Sequence, residues 1–325
     1  MARVAASLAA ALAAFALTAC GDGGAEPGAS DEVTLVLDFT PNAVHTGLYA
    51  ALADGEFERE GIALEIREPS ASTDGPKLLE TGRAEFAVLD IHDLAIARER
   101  GLDIVGVAAL VQRPLAAVIA GDREAVRTPA DLEGRTAGVT GLPSDDAVLD
   151  SVLAAGGANP ESVERVTIGF DSIAALSAGR VDAATAFWNA EGVALRRLGV
   201  PTREFRVDDF GAPPYPELVL ATTARTVAER PGLVEGMRAA LEEGQQVVLA
   251  DPDAALGDLL EAVPELSEAE QRAQLSALLA ADAIGAGVLL DDGVLEQWAE
   301  WDARHGIVRR PPQVDRAFAF DLPSG

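Results

Sequence analysis

Residues 33–49, "VTLVLDFTPNAVHTGLY", have the pattern of a buried strand, a turn and the start of a helix. The near-continuous apolar run of residues 33–37 is typical of a parallel strand that is covered on both faces. Pro41 and Asn42 mark the turn, and Asn42 is a natural N-cap. The stretch therefore predicts one β–α unit, and its fold class depends on whether the unit repeats.

The unit does repeat along the chain. Strand-like and helix-like segments alternate from Val33 to about residue 223, and residues 226–305 are mostly helical. Repeated β–α units predict an α/β fold with parallel-rich sheets and helices on both faces. The pattern restarts once, which predicts two lobes joined by a two-stranded hinge and followed by a helical C-terminal tail.

The two blocks set the expected domain boundaries. The chain is expected to cross between lobes near residues 115–120 and 208–216, and three prolines stiffen the second crossing. We expect lobe 1 to contain residues 32–117 and 213–325, and lobe 2 to contain residues 118–212.

The N-terminal segment has the architecture of an export signal. Residues 1–20, "MARVAASLAAALAAFALTAC", combine Arg3, an apolar run too short for a membrane span and a small-residue end at Cys20. The end resembles the bacterial lipobox, which predicts a signal peptide of residues 1–19, lipidation of Cys20 and a flexible tether of residues 20–31. The alternative is an ordinary cleaved signal peptide with an incidental cysteine.

The composition narrows the class of partner. The chain has 325 residues, 53 acidic against 25 basic side chains, and a net charge of −28. A surface this acidic repels phosphate backbones, so we expect no nucleic-acid binding. Outside residues 1–20, no stretch is apolar enough to span a bilayer.

Polar and aromatic residues follow several of the predicted strands. Open parallel sheets bind ligands at the carboxyl ends of their strands, so these side chains are expected to meet in one cleft between the lobes. Phe170 and Asp171 also follow a strand. The candidate ligand-binding residues are Asp38, Phe39, Asn42, His45, Tyr49, Asp90, His92, Gly141, Ser144, Trp188, Asn189 and Glu191.

The first helix is expected to present one edge to this cleft. Asn42, His45 and Tyr49 lie at i, i+3 and i+7, about 100° to one side of the apolar stripe that contains Val44 and Leu48. The alternative is that Asn42 only caps the helix and that His45 is a solvated surface residue. Gly141 and Ser144 are expected to offer donors at a later helix N-terminus, with Ser144 as a plausible N-cap.

Residues 186–192, "AFWNAEG", supply the second informative segment. Trp188 at a strand end offers a large stacking face, and Glu191 would need a partner with several donors if it is desolvated. A flat ligand with an amino group beside a ring nitrogen satisfies both. The alternative is that Trp188 fills the core and that Glu191 only favours the helix N-terminus.

Several of these segments together resemble a known family. "DFTPNAVHTGLYAA", "DLEGRTAGV", "GFDSIAALSAGRVDAATAFWN" and "LADPDAAL" are similar to the thiamine-pyrimidine-synthase-like family, from about Val33 to Leu256. The resemblance implies a type II periplasmic-binding-protein fold. Bacterial members look like ABC-importer components that capture aminopyrimidine thiamine precursors, and other relatives bind sulfonates, nitrate or flavins.

The same family includes an enzyme that builds the thiamine pyrimidine from pyridoxal phosphate and its own histidine. In that enzyme a lysine shortly before the histidine holds the cofactor, but here "FAVLDIHDLA" contains His92 and no lysine. Lys77 is the only lysine, Cys20 is the only cysteine, and the three histidines show no metal-ligand spacing. There is also no G-x-S-x-G motif. We therefore expect no enzyme activity, no cofactor and no metal site.

The ligand class follows from the charge of the candidate wall. Asp38, Asp90 and Glu191 lie in it without an arginine, which favours a neutral or cationic heteroaromatic such as an aminopyrimidine. Riboflavin, a sulfonate such as taurine, and nitrate remain alternatives. The expected protein is a monomeric, extracytoplasmic lipoprotein whose permease and ATPase are separate chains, since no Walker-type loop occurs here.

Overall fold

A computed structural model describes residues 30–70, 74–121 and 124–321. The predicted signal peptide, Cys20 and nearly all of the tether lie outside the described residues. The strands are β1 (Asp31–Val36), β2 (Ile62–Arg67), β3 (Phe86–Asp90), β4 (Ile104–Val111), β5 (Ala116–Ala120), β6 (Thr136–Val139), β7 (Glu164–Thr167), β8 (Ala183–Phe187), β9 (Arg203–Arg206) and β10 (Leu218–Thr223).

Helices surround these strands and continue beyond them to form a C-terminal helical region. They are α1 (Thr46–Ala53), α2 (Glu56–Arg59), α3 (Asp74–Glu80), α4 (Ile91–Glu99), α5 (Pro143–Ala155), α6 (Ser172–Ser177), α7 (Glu191–Arg197), α8 (Ala224–Glu229), α9 (Pro231–Ala250), α10 (Pro252–Ala262), α11 (Glu268–Ala280), α12 (Asp292–Arg304) and α13 (Val314–Ala317). Short 3-10 turns occupy Ala43–His45, Pro129–Leu132, Pro160–Ser162 and Val207–Phe210.

The strands form two five-stranded sheets with the same topology. One sheet has the order β2-β1-β3-β10-β4 and the other has the order β7-β6-β8-β5-β9. In each sheet the fourth strand runs antiparallel to its neighbours, because it is the strand that returns from the other lobe. Every residue of β4 is buried, as expected of a strand that helices cover on both faces. The prediction of a two-lobed α/β fold is confirmed.

Two segments cross between the sheets. Residues 112–115 connect β4 to β5, and residues 207–217 connect β9 to β10. The sequence predicted that the first lobe extends to residue 117. In the structure, Ala116 and Ala117 belong to β5 and pair with Phe187 and Ala186 of the second sheet. The apolar runs of β4 and β5 are separated by only four residues, so the sequence pattern alone does not locate the boundary.

The first predicted helix is divided into two. The sequence predicts a helix that starts at Asn42, but the structure has a 3-10 turn followed by α1 and α2. Gly55 lies between the two helices with φ of 72°, a left-handed conformation that glycine adopts without steric cost. The break lets α2 turn so that Phe57 is fully buried.

Candidate functional site

A cleft of about 560 Å³ lies between the lobes, at the carboxyl ends of the central parallel strands. β1 and β3 lead into it from the first sheet, and β6, β7 and β8 lead into it from the second. Residues 265–274, which include the first half of α11 in the C-terminal helical region, complete its wall. Of the predicted ligand-binding residues, the cleft is lined by Asp38, Phe39, Asn42, Asp90, His92, Ser144, Asn189 and Glu191.

Two exposed phenylalanines face each other across the cleft. Phe39 follows β1 in the first lobe and is 49% exposed, and Phe170 follows β7 in the second lobe and is 64% exposed. Their ring centroids are 6.1 Å apart, with an angle of 46° between the ring planes. Large apolar side chains rarely remain exposed in pairs unless they contact a ligand or a partner. The pair therefore offers an aromatic surface from each lobe.

The polar lining of the cleft is strongly acidic. Among the described residues, the lining contains no arginine or lysine, and His92 is its only basic side chain. Such a lining favours a ligand that donates hydrogen bonds or carries positive charge. Its eight carboxyl groups belong to Asp38, Asp90, Asp93, Asp145, Glu191, Glu217, Glu265 and Glu270.

Burial perturbs the carboxyl groups of the second lobe. Burial raises the pKa of Glu191, although its Oε2 accepts a hydrogen bond of 3.0 Å from the backbone N–H of Phe187. Burial likewise raises the pKa of Asp145, which accepts from the backbone N–H of Thr140 at 2.8 Å. Both groups are held by backbone amides, so their orientation in the cleft is fixed.

At the floor of the cleft, His92 is surrounded by carboxylates. His92 Nδ1 lies 2.8 Å from Asp302 Oδ1, and both side chains are buried. Burial alone would lower the pKa of His92, but Asp302, Asp90 and Glu217 outweigh it and raise this pKa to about 10. Burial, together with the charge of Asp90, raises the pKa of Glu217 to about 8.

The turn after β1 is built by Asn42 and His45. The Asn42 side chain accepts from Val44 N at 3.1 Å, and His45 Nδ1 accepts from Asn42 N at 3.2 Å. Nε2 of His45 therefore carries the ring proton and donates to Asp38 Oδ1 at 2.8 Å. His45 is fully buried and does not line the cleft, so it holds Asp38 in position instead of contacting a ligand.

Three amide side chains add hydrogen-bonding capacity to the wall. Asn189, Gln271 and Gln274 line the cleft and are at least 95% buried. Their carbonyl oxygens have no hydrogen-bond partner within the described residues. Because buried polar atoms are normally paired, these oxygens are suited to accept hydrogen bonds from a bound molecule.

The prediction that Trp188 stacks on a ligand is wrong. Trp188 is 1% exposed, its Nε1 donates to the carbonyl oxygen of Pro114 at 3.0 Å, and the Arg206 guanidinium lies 4.0 Å from its ring centroid. The side chain therefore packs beneath the first crossing segment, and the alternative that it fills the core is correct. Phe170 takes its place as the aromatic surface of the second lobe.

Three further predictions also fail for local reasons. Tyr49 is 7% exposed and does not line the cleft, because α1 packs against α9 and α10. Gly141 is an exposed turn residue with φ of 97° and lies outside the lining. Ser144 lines the cleft but is not an N-cap, since α5 begins at Pro143 and its N-cap is Leu142.

Two residues that matter most to the geometry were not among the predicted ligand-binding residues. Phe170 was identified as following a strand, but its pairing with Phe39 depends on how the two lobes meet. Glu217 immediately precedes the apolar strand β10, and an acidic residue directly beside such a strand is the signal that was available in the sequence. Glu217 Oε2 accepts from Leu115 N at 2.5 Å and thereby ties the two crossing segments together.

Comparisons with known proteins agree with this geometry. The chain is 34% identical over 233 residues to a formylaminopyrimidine-binding protein of Halalkalibacterium halodurans, with 71% of each chain covered. It is 25% identical to a 4-amino-5-hydroxymethyl-2-methylpyrimidine phosphate synthase of Legionella pneumophila, with 72% of this chain and 74% of the relative covered.

Solved structures and a family model extend the comparison to the whole fold. The alkanesulfonate-binding protein SsuA of Xanthomonas axonopodis, bound to MOPS, superposes with a TM-score of 0.70 at 18% identity, covering 91% of this chain and 99% of that one. This similarity confirms the periplasmic-binding-protein fold. The family model described as NMT1/THI5 like matches residues 42–255. This chain therefore belongs to the NMT1/THI5-like family.

Proposed function

We propose that the cleft captures a small, flat, nitrogen-rich solute, with an aminopyrimidine precursor of thiamine as the favoured ligand. Family membership and the two-lobed fold identify the broader class, a solute-binding protein of ABC importers. In this class, ligand contacts to both lobes favour the closed form.

The observation that carries the proposal is the pairing of aromatic surfaces with an acidic, arginine-free lining. Phe39 and Phe170 offer one ring from each lobe at 6.1 Å. Glu191 and Asn189 offer acceptors in the same cleft, suited to the amino group of an aminopyrimidine. Within the described residues, a sulfonate or nitrate would meet eight carboxyl groups and no guanidinium, which disfavours either anion.

A ligand screen tests this choice. Thermal unfolding is measured with formylaminopyrimidine, hydroxymethylpyrimidine, riboflavin, taurine and nitrate at equal concentration, since a ligand that binds only the folded state raises Tm. We expect an aminopyrimidine to give the largest increase. Stabilisation by taurine or nitrate alone would overturn the proposed ligand class.

We further propose that the protein binds its ligand without converting it. Lys77 is the only lysine, is exposed on α3 and is not among the cleft-lining residues. The family's enzymes need a lysine for a Schiff base, so this support concerns the synthase reaction in particular. Mass spectrometry of each candidate ligand after incubation should recover it unchanged.

The extracytoplasmic location and the anchor are proposals that rest on residues 1–20. None of the helices within residues 30–70, 74–121 and 124–321 has the length and apolar character needed to span a bilayer. We propose that Cys20 is lipidated, that the protein acts as a monomer and that the lobes dock on a separate permease. Replacement of Cys20 by serine should move the protein from the membrane fraction to the soluble one.

A further inference from the structure

Three side chains at the floor of the cleft form a cluster that the proposed stacking and amino-group contacts do not use. One ligand atom from each of Asp90, His92 and Glu217 lies within 4.8 Å of the other two. All three residues line the cleft, so a small solute reaches the cluster from the opening. The chain brings them together from the end of β3, the first turn of α4 and the second crossing.

Backbone amides fix one oxygen of each carboxylate. Asp90 caps α4, and its Oδ1 accepts from His92 N at 2.7 Å. Glu217 Oε2 accepts from the backbone N–H groups of Leu115 and Ala116, at 2.5 Å and 3.4 Å. The second oxygen of each carboxylate makes no hydrogen bond within the described residues. Each carboxylate is therefore both oriented and able to ligate.

His92 is oriented by a buried carboxylate. Its Nδ1 lies 2.8 Å from Asp302 Oδ1, an ion-pair distance, although neither oxygen of Asp302 makes a hydrogen bond within the described residues. The indole N–H of Trp298 donates a hydrogen bond of 3.3 Å to the same Nδ1, so Nδ1 is occupied by two neighbours. Nε2 has no partner in the described part of the chain, although the side chain is 2% exposed. A carboxylate on one ring nitrogen and a free second nitrogen are typical of a metal-ligating histidine.

The charge of the site favours a cation. Asp90, Glu217 and Asp302 surround one imidazole, and the described part of the cleft lining supplies no arginine or lysine to offset them. Buried carboxylates are stable when they are paired or coordinate a metal. A protonated His92 offsets one charge, and a divalent cation offsets more.

From these observations we propose that Asp90, His92 and Glu217 bind one divalent transition-metal ion, with Zn²⁺ as the first candidate. One imidazole nitrogen and two carboxylate oxygens suit Zn²⁺, whereas Ca²⁺ and Mg²⁺ prefer oxygen ligands alone. Three protein ligands leave a coordination position open towards the cleft. The proposed ligands lie in the same cleft as the aromatic pair but do not include it, and the proposal is independent of the organic ligand's identity.

Calorimetry with Zn²⁺ tests the proposal on the purified, EDTA-treated protein without an organic ligand. Excess Mg²⁺ is present, because it occupies weak carboxylate sites on the acidic surface. We expect one equivalent of Zn²⁺ to bind, and Co²⁺ to bind in its place with visible d–d absorption. Failure to bind Zn²⁺ under these conditions would overturn the proposal.

Three variants locate the ion. Asp90→Asn keeps the cap acceptor and Glu217→Gln keeps the acceptor for Leu115 N, so both variants should fold while Zn²⁺ affinity falls at least about tenfold. Asp302→Asn tests the positioning role and should lower the affinity about 10- to 100-fold. Glu270→Gln, a carboxyl of the same cleft outside the cluster, is the matched control and should leave the affinity unchanged. Equal Zn²⁺ affinity in wild type, Asp90→Asn and Glu217→Gln would place the ion elsewhere and contradict the proposal.

The outcome is separable from the proposed function. The ligand screen is repeated in EDTA, where stabilisation by an aminopyrimidine supports the solute-binding proposal whether or not Zn²⁺ binds. Zn²⁺ binding, measured alone, supports the metal site whether or not an aminopyrimidine binds.

Discussion

Phe39 and Phe170 are large apolar side chains that remain exposed, whereas other phenylalanines of the protein are buried in its core. Phe57 and Phe86 are fully buried, and among the phenylalanines that the structure describes only Phe39 and Phe170 are exposed. Phe39 follows β1 in the first lobe and Phe170 follows β7 in the second. The distance between the two rings therefore depends on how the lobes are arranged relative to each other. A ligand that contacts both rings gains differential affinity for the closed form.

Removal of either ring should weaken ligand binding without loss of stability. Stacking of a base on an aromatic side chain contributes about 1–3 kcal/mol, so Phe39→Ala and Phe170→Ala should each raise Kd about 5- to 150-fold. Isothermal titration with the ligand identified in the screen measures this change. Leu198→Ala, which removes an exposed apolar side chain away from the cleft lining, is the control. Unchanged affinity in both phenylalanine variants would refute the aromatic contact.

Glu191 should make stability depend on pH in a defined direction. Burial raises its pKa above the ordinary value of 4.5, so the unfolded state ionises first as the pH rises. Its contribution to the unfolding free energy is therefore fully present below pH 4.5 and is lost as the pH rises through the folded-state pKa. The Glu191→Gln variant has no carboxyl group to ionise, so its unfolding free energy does not fall in this way as the pH rises. Its side-chain oxygen can still accept the hydrogen bond from Phe187 N.

Denaturant titrations of the two proteins from pH 4 to pH 8 measure the effect. The unfolding free energy of Glu191→Gln relative to wild type should increase as the pH rises above 4.5. A difference that stays constant, or that decreases, would show that Glu191 is not desolvated in the folded protein.

Individual site residues were predictable where a local motif determines them. Asp38, Asn42 and Asp90 follow strands or cap helices, and the sequence alone placed them near the cleft. Trp188 also follows a strand, but its orientation depends on a hydrogen bond to Pro114 in the first crossing segment, 74 residues away in the sequence. The metal cluster was not predicted, because Asp90 and Glu217 are far apart in sequence and the histidines lack ligand spacing.

At the level of elements, α1 and α9 approach closely through two glycines. A Cβ on Gly244 would overlap the carbonyl group of Gly47 and lie 2.8 Å from the Cβ of Ala51. The approach also explains why the prediction for the edge of α1 failed. Periodicity located the apolar stripe correctly, but it carried no information about a second helix that buries the opposite face.

Substitution of Gly244 should therefore be costly. Gly244→Ala inserts a methyl group where backbone atoms already touch, and we expect a loss of about 2 kcal/mol or more of unfolding free energy. Gly257→Ala is the matched control, since Gly257 is helical and exposed with open space around it. That control should gain up to about 1 kcal/mol, because alanine favours the helix. Equal effects in the two variants, measured by denaturant titration, would contradict the close helix contact.

At the scale of the whole molecule, charge and topology have different consequences. The alternation of strands and helices was sufficient to predict two lobes, because each β–α unit carries its own pattern. The net charge of −28 was equally visible in the sequence but says nothing about fold. The chain has 53 acidic side chains, and most of them lie on the surface, where ions in the solvent screen their charges.

Screening should accordingly stabilise the folded protein. Like charges repel one another more strongly in the compact state than in the unfolded chain, and the Debye length falls from about 30 Å at 0.01 M salt to about 8 Å at 0.15 M. We expect Tm to rise over this range of NaCl and then to level off. NaSCN over the same range is the control, because screening at low ionic strength depends on concentration and not on the identity of the anion. If Tm rises with NaCl but falls with NaSCN, ion-specific effects outweigh screening, and surface repulsion is not what limits the stability of this chain.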